Sequence, residues 1–495
     1  MAHLYVISKG WATAHLCRHS SCRSASRHDE PDIACSLVTN GAETPRGTRL
    51  HLPEFRGKLA ADGKDLQRPA AESSLPAREW AMPTRRYLLF WTILGVLFAP
   101  APALVPVAWT APKYNVLHAF TGGKDGGGLF GPLLLDASDD LYGTTIAGGP
   151  KGKGGTVFEL TPRRNGTWTQ KALHNFCSQP GCEDGGGPTG GVIFDSGGNL
   201  YGSTTGGGGS YTDGTVFEMK PRSAGWKFAV IHRFGRNDKA NGPFGGVVMD
   251  GSGNLYGIGG CAFELSPQVG GKWKEQILHC FPAFNGDGYG ILERPILDAT
   301  GNLYGTTQHG GGSKNCDGGC GTVFELSPTS GGKWKEHILH RFGSSGDGAF
   351  PGVGALVLDS AGNVYGTTQI GGPAGYGTVF KLARTANGGW EETILHSFAD
   401  DSNGGYVAAG VVFDPRGNLY GTTGGGGDPN CGCGVVYELS PASDGKWTYK
   451  LLHTFIGSDG AGPGANLIRD DKGNLYGTTV TGGSGGSGVA FELTP

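Results

Sequence analysis

The 495-residue chain is poor in the features that most folds and most enzymes require. Charged residues make up only 17% of it, and outside the N-terminus no segment has the 3.6-residue apolar period of a long amphipathic helix. That excludes a helical bundle or solenoid. Beyond residue 110 no apolar run is long enough to span a bilayer. There is no nucleophile elbow, no HExxH, no P-loop and no dinucleotide fingerprint. Basic surplus is also missing. Residues 1–86 carry 13 basic and 9 acidic side chains, and the remainder carries 27 basic and 34 acidic. An acidic body without a basic stripe is poorly suited to a phosphate backbone, so no nucleic-acid partner is expected.

What the chain has is glycine, 94 residues of it, at fixed offsets between short runs of Val, Phe, Tyr and Leu. Glycine supplies the positive φ of tight turns, so the pattern reads as strands and hairpins rather than as a flexible linker. One unit runs Trp334-KEHILH-Arg341-Phe342, a Gly/Asp loop, ALVLD, SAGNVYGTT, a second Gly-rich loop and GTVFKL. The histidine of its LHxF element recurs seven times, as His118, His174, His232, His279, His340, His396 and His453. The separations are 56, 58, 47, 61, 56 and 57 residues. The tyrosine of NLYG recurs in step at Tyr142, Tyr201, Tyr256, Tyr304, Tyr365, Tyr420 and Tyr476.

Four apolar runs per unit predict an all-β fold, a seven-bladed β-propeller of four-stranded antiparallel blades. From the inside outwards a blade reads GLVFD (strand A), NLYGTT (B), GTVFEL (C) and W…LHxF (D). The chain opens with a lone D strand, Tyr114–Phe120, and closes with a lone A-B-C set, Leu467–Leu493. Their pairing would close the ring and remove its open seam.

The repeat resembles that of the choice-of-anchor tandem repeat GloVer-containing family, through LHxF, D-x-x-GNLYGTT and GTVFELTP over residues 114–495. The resemblance implies secretion and supplies no catalytic residues. Members often end in a surface-sorting segment. This chain reaches Thr494-Pro495 without one, which leaves release and periplasmic retention both open.

Residues 1–81 match no repeat and are expected to be a disordered leader ahead of the true start at Met82. Residues 82–110 read as a signal peptide: Arg85-Arg86, the apolar run Tyr87–Phe98, and Ala99-Pro-Ala-Pro-Ala103. A membrane anchor is the rival, but Pro100, Pro102 and Pro106 interrupt the stretch. Residues 111–495 are the propeller, expected to be a secreted, periplasmic or cell-surface monomer with no stable membrane span after cleavage.

The seven histidines fall on outer strands around the rim, too far apart to share one ion. Strand alternation puts Trp334, Glu336, Ile338, His340 and Phe342 on one face. Register sets Glu325 opposite Ile338, diagonal to His340. The pair is then a repeated polar contact between blades, and no metal site is expected. Asp136, Asp195, Asp250, Asp298, Asp359, Asp414 and Asp470 open the A–B turns, where Asp caps backbone N–H groups. Asp125, Asp184, Asp287, Asp347 and Asp459, with Asn241 and Asn403, precede glycines in the D–A loops. No cofactor is expected, calcium being the one ion that these loop carboxylates would suit.

Eight cysteines fall within the repeats, which fits an oxidising compartment. Cys177 with Cys182 and Cys316 with Cys320 can staple single loops. Cys431 and Cys433 would close a very small ring, and their redox state stays open. Cys261 and Cys280 occupy facing positions of one C–D hairpin, where the other copies pair Thr156 with Asn175 or Thr322 with Arg341, and are expected to form a disulfide. Departures from the repeat gather in the fourth copy: Tyr289, Glu293 and Arg294 in its D–A loop and His309 in its B–C loop. The third copy lacks most of its B–C loop, which leaves room beside blade four. These four residues are the candidate ligand-binding set. The expected function is a non-enzymatic extracellular binding or scaffold module for a glycan or a protein. The alternative is a carbohydrate-active lyase or hydrolase with its site on the D–A/B–C loop face.

Overall fold

The computed structural model describes residues 111–495 except 151–153, 210–211, 236–239, 241, 283–285 and 353. The expected leader with Cys17, Cys22 and Cys35, the expected signal peptide, and Asn241 lie outside the described residues. Seven sheets follow one another, each antiparallel and in the order A-B-C-D. Blade four is typical: Ile296–Leu297, Leu303–Thr307, Thr322–Pro328 and Trp334–Arg341. In blades five and six an extra strand, Gly348–Pro351 and Gly405–Val407 respectively, extends the inner edge along strand B. Blade seven is composite. Ile468–Arg469, Leu475–Thr478 and Val489–Thr494 are joined by Lys113–Ala119 as their D strand. This is the expected closure.

Seven apolar clusters lie one between each pair of neighbouring blades. The aromatic ring of each C strand is fully buried, from Phe158 to Phe491, with Tyr437 in blade six. Burying such a ring contributes roughly 1.5–3 kcal/mol. The tip of the ring reaches the glycine of NLYG on the adjoining strand B. A Cβ on Gly143 would sit 2.5 Å from the Phe158 ring, which is why the repeat keeps glycine there.

One departure from the expected pattern recurs in every blade. The C–D register slips by one residue at the Leu or Ile of LHxF, leaving Leu117, Leu173, Ile231, Leu278, Leu339, Leu395 and Leu452 in β-bulges. Glu325 therefore faces His337, not Ile338. A bulge re-aims the strand beyond it. Trp334 and Ile338 pack toward blade three, whereas Leu339 and Phe342 pack toward blade five. Trp334, Glu336, Ile338, His340 and Phe342 thus do not share one face.

The hairpin ends are where the spacing placed them: Thr156 faces Asn175, Thr322 faces Arg341, and Cys261 faces Cys280. The last pair is bonded, with Cα atoms 3.9 Å apart. Disulfides also join Cys177 to Cys182, Cys316 to Cys320 and Cys431 to Cys433.

The Cys261–Cys280 bond closes a loop between residues 19 apart, which by chain entropy stabilises the fold by about 3 kcal/mol. Cys261→Ser with Cys280→Ser should lower the urea unfolding free energy by about that amount while leaving the circular dichroism of the folded protein unchanged. A loss below about 0.5 kcal/mol would show that the bond adds nothing to this hairpin.

Candidate functional site

Two sets of polar residues meet on the side of the D–A and B–C loops, one on the rim and one nearer the axis. The opposite side is occupied by the A–B turns, where the repeated aspartates do what their sequence context implied. Asp195 accepts hydrogen bonds from the backbone N–H of Gly197 and Asn199, and Asp414 from Arg416 and Asn418. Burial works against ionisation of Asp195. The hydrogen bonds from Asn199, Gly197 and Tyr201 outweigh it and hold the carboxyl below its ordinary range. The NLYG tyrosine then links this turn to the FEL glutamate. Tyr201 donates to Asp195 at 3.2 Å or to Glu218 at 2.7 Å, and Tyr142 and Tyr476 stand the same way. The FEL glutamate thus bonds within its own blade, to the tyrosine in blades one, two and seven and to Ser266, Ser327 and Ser440 in blades three, four and six, and not to the rim histidine. Lys381, the one exception, lies over the Tyr365 ring at 5.5 Å.

On the rim, the bulge turns each histidine toward the following blade, and the D–A aspartate comes back to meet it. Nε2–H of His118, His340 and His453 donates to Asp125, Asp347 and Asp459 at 3.2, 3.2 and 3.0 Å, and His174 lies 3.2 Å from Asp184. A third group arrives from strand D of the following blade. In three places it is a ring: Phe228 stacks on His174 at 3.7 Å, Tyr449 on His396 at 4.7 Å and Tyr114 on His453 at 3.8 Å. In three it is a carboxylate: Glu275 by His232, Glu336 by His279 and Glu392 by His340, at 3.6 to 3.8 Å. Burial, and then the charge of Asp347, pushes Glu392 up to about 8. Burial, and then Asp287, pushes Glu336 to about 7. The sequence pairing of histidine with the FEL glutamate missed these partners. The readable signal was the position two residues after each D-strand tryptophan, which is Glu in blades three to five only.

Nearer the axis, the structure brings Tyr289 and His309 together. Their backbones exchange hydrogen bonds of 3.1 and 3.0 Å, and their rings stack with centroids 5.1 Å apart. Glu293 is not part of that surface. It is 4% exposed and accepts a hydrogen bond from the Thr306 N–H, and burial raises its carboxyl to about 8. Arg294 is half-buried and stands where blades two, three and six have Gly191, Gly246 and Gly410. Burial lowers its guanidinium pKa.

Two aromatics that sequence reasoning passed over complete this surface. Where the D–A loop turns in toward strand A, blades one, two, four and seven have Gly128, Gly187, Gly290 and Gly462, with φ between 60° and 77°. Blades five and six have Phe350 and Tyr406, at φ 56° and 53°. Each donates its N–H to the B–C loop of the preceding blade, Phe350 to Cys320 and Tyr406 to Tyr376. Phe350 packs against His309 at 5.1 Å, and Tyr406 packs edge-on to Tyr376 at 5.2 Å. A bulky residue in the left-handed region costs about 1–3 kcal/mol, and such strain gathers at functional sites. The Cys316–Cys320 disulfide braces the loop beneath Phe350. Tyr406 is 38% exposed. Tyr289, His309, Phe350, Tyr376 and Tyr406 thus set rings along the loops of blades four to six.

The profile of the Gloeobacter/Verrucomicrobia repeat matches residues 103–315 and 258–491. No curated protein sequence matches the chain. Among solved structures, a protein of unknown function from Dyadobacter fermentans is 11% identical, covering 77% of this chain and 98% of its own, with a TM-score of 0.38. A gluconolactonase from Xanthomonas campestris is 15% identical over 61% of this chain and 83% of its own, at 0.32. The extracellular domain of a one-component system from B. thetaiotaomicron is 12% identical over 77% of this chain and 40% of its own, at 0.45. Likenesses this distant carry no functional argument.

Burial holds the His453 imidazole below its ordinary value, the charge of Asp459 offsetting it only in part. The folded state therefore takes up this proton less readily than the unfolded chain. The stability involved is present above about pH 6.5 and is lost as the pH falls through the folded value. His453→Gln should cost about 1–2 kcal/mol at pH 7.5 through the lost hydrogen bond. It should also flatten the decline in stability between pH 6.5 and 5, as read by denaturant midpoints. An unchanged pH profile would remove His453 from that decline.

Proposed function

The chain belongs to the Gloeobacter/Verrucomicrobia repeat family, and from that premise we propose that it is an extracellular binding module. It holds a glycan against the aromatic loop face of blades four to six. Four disulfides among the described residues fit a secreted, periplasmic or surface protein. Among the described residues no helix is long and apolar enough to cross a membrane.

The observation that carries the reading is the pair Phe350 and Tyr406. Two aromatic side chains are held in a backbone conformation that the same position reserves for glycine in four other blades. Packing alone does not require them, because those four blades do without. Rings beside polar groups form a surface that offers apolar contact to a sugar face and hydrogen bonds to its hydroxyls. His309, the phenols of Tyr289, Tyr376 and Tyr406, and the carboxylates of Asp400 and Asp401 in the loop leading to Tyr406 supply the polar part. Loops that vary on a constant scaffold are where a repeat fold acquires a function.

The test separates binding from folding. Phe350→Gly with Tyr406→Gly restores the residue found in the other blades and relieves strain, so thermal stability should hold or rise. Binding to the polysaccharide selected on a glycan array should fall at least tenfold. Undiminished binding by this double variant would overturn the reading. Cleavage of a bound polysaccharide would move it to the carbohydrate-active enzyme class.

A further inference from the structure

We propose that the chain carries two divalent metal sites on its rim, each made of one imidazole nitrogen and two carboxylate oxygens. His340, Asp347 and Glu392 form one, and His279, Asp287 and Glu336 the other. In each set one ligand atom from every residue lies within 4.8 Å of the other two. Nε2 of His340 is 3.2 Å from Asp347 and 3.8 Å from Glu392, and Nε2 of His279 is 3.6 Å from Glu336.

The sites arise from the bulge. It aims the histidine of one blade forward, while the glutamate two residues after the next blade's tryptophan aims back. The histidines do not share an ion around the rim. Each finds its two carboxylates locally, from its own D–A loop and from the adjoining blade.

The carboxylates are not needed for packing. Phe228, Tyr449 and Tyr114 fill the same place by covering the histidine with a ring. Glu336 and Glu392 instead bring a second acid against an aspartate that is already present. Their side chains are 10% and 13% exposed, and that of Asp347 is 3% exposed. One carboxylate oxygen of each glutamate, Oε1, is buried without a hydrogen-bond donor among the described residues, and so is Nε2 of His279. Two acids at least half-buried around an imidazole, with acceptor atoms left over, suit a cation. Backbone N–H groups of Gly343 and Gly348 hold the Asp347 carboxylate in place, as outer groups orient a metal ligand. Calcium takes six to eight oxygens, whereas a mixed nitrogen and oxygen set of three suits Zn²⁺ or Mn²⁺ with water completing the shell. Tyr289 follows Asp287 by two residues and Phe350 follows Asp347 by three, so a bound ion would tie the loops that present those rings to the adjoining blade.

The test uses the full chain after chelator treatment, titrated calorimetrically with ZnCl₂ and, separately, MnCl₂. Gln170 holds the corresponding place beside His118 and Asp125 in the native chain, so Glu→Gln is a substitution this fold accepts. Wild type should bind two more equivalents of Zn²⁺ or Mn²⁺ than Glu336→Gln with Glu392→Gln, and each single variant should lose one. Ions held elsewhere, including by the cysteines and histidines of residues 1–110, appear equally in all four proteins and cancel. The ion should also raise the melting temperature of wild type more than that of the double variant. Equal stoichiometry in wild type and a folded double variant, or no uptake of either ion, would overturn the proposal.

Discussion

Seven wedge-shaped sheets leave two apolar faces bare wherever the ring is cut, and the pairing of Lys113–Ala119 with Val489–Thr494 is what removes the cut. Everything else in the structure leans on that pairing. The cluster around Phe120, Phe158, Leu160 and Ala490 exists only if blades seven and one meet. Tyr114, brought in by the same strand, covers His453 of blade six with its ring and donates its phenol to the Asp459 carbonyl. Desolvation and the Asp459 charge push that phenol far above its ordinary range, so it remains neutral. One strand from the start of the propeller thus secures two interfaces at its end.

The bulge before each rim histidine converts seven similar sheets into a linked series. Without it, a strand sends alternate residues to opposite faces and the histidine would point back with its tryptophan. With it, tryptophan and glutamate reach backward while leucine, histidine and phenylalanine reach forward. Each interface therefore receives polar groups from both sides. Three interfaces use that meeting to cover a histidine with a ring. Two gather an imidazole and two acids instead, directly under the loops where the repeat has been altered most.

The ring and its closure were legible in the sequence because seven in-step copies leave little freedom. The constant spacing between C and D strands even placed Cys261 against Cys280. The bulge was not legible. Correct pairing at the hairpin end, such as Thr322 with Arg341, is compatible with straight alternation, and the extra residue shows only in the backbone. That error misplaced Glu325 and hid Glu336 and Glu392. In the loops, Tyr289 and His309 stood out as departures and do meet. Phe350 and Tyr406 did not stand out, because D–A loops differ in length and the meaning of these residues lies in φ, which composition does not report. Comparing them with Gly128, Gly187, Gly290 and Gly462 was the signal available.

Closure is the claim to test first. Amide hydrogen exchange should be followed across all seven blades in the full chain and in a chain lacking residues 111–121. If the ring is one cooperative unit, the deletion strips protection from every blade, including strands as distant as Thr322–Pro328 of blade four. Loss confined to blade seven and its two neighbours, or protection unchanged without the strand, would contradict it.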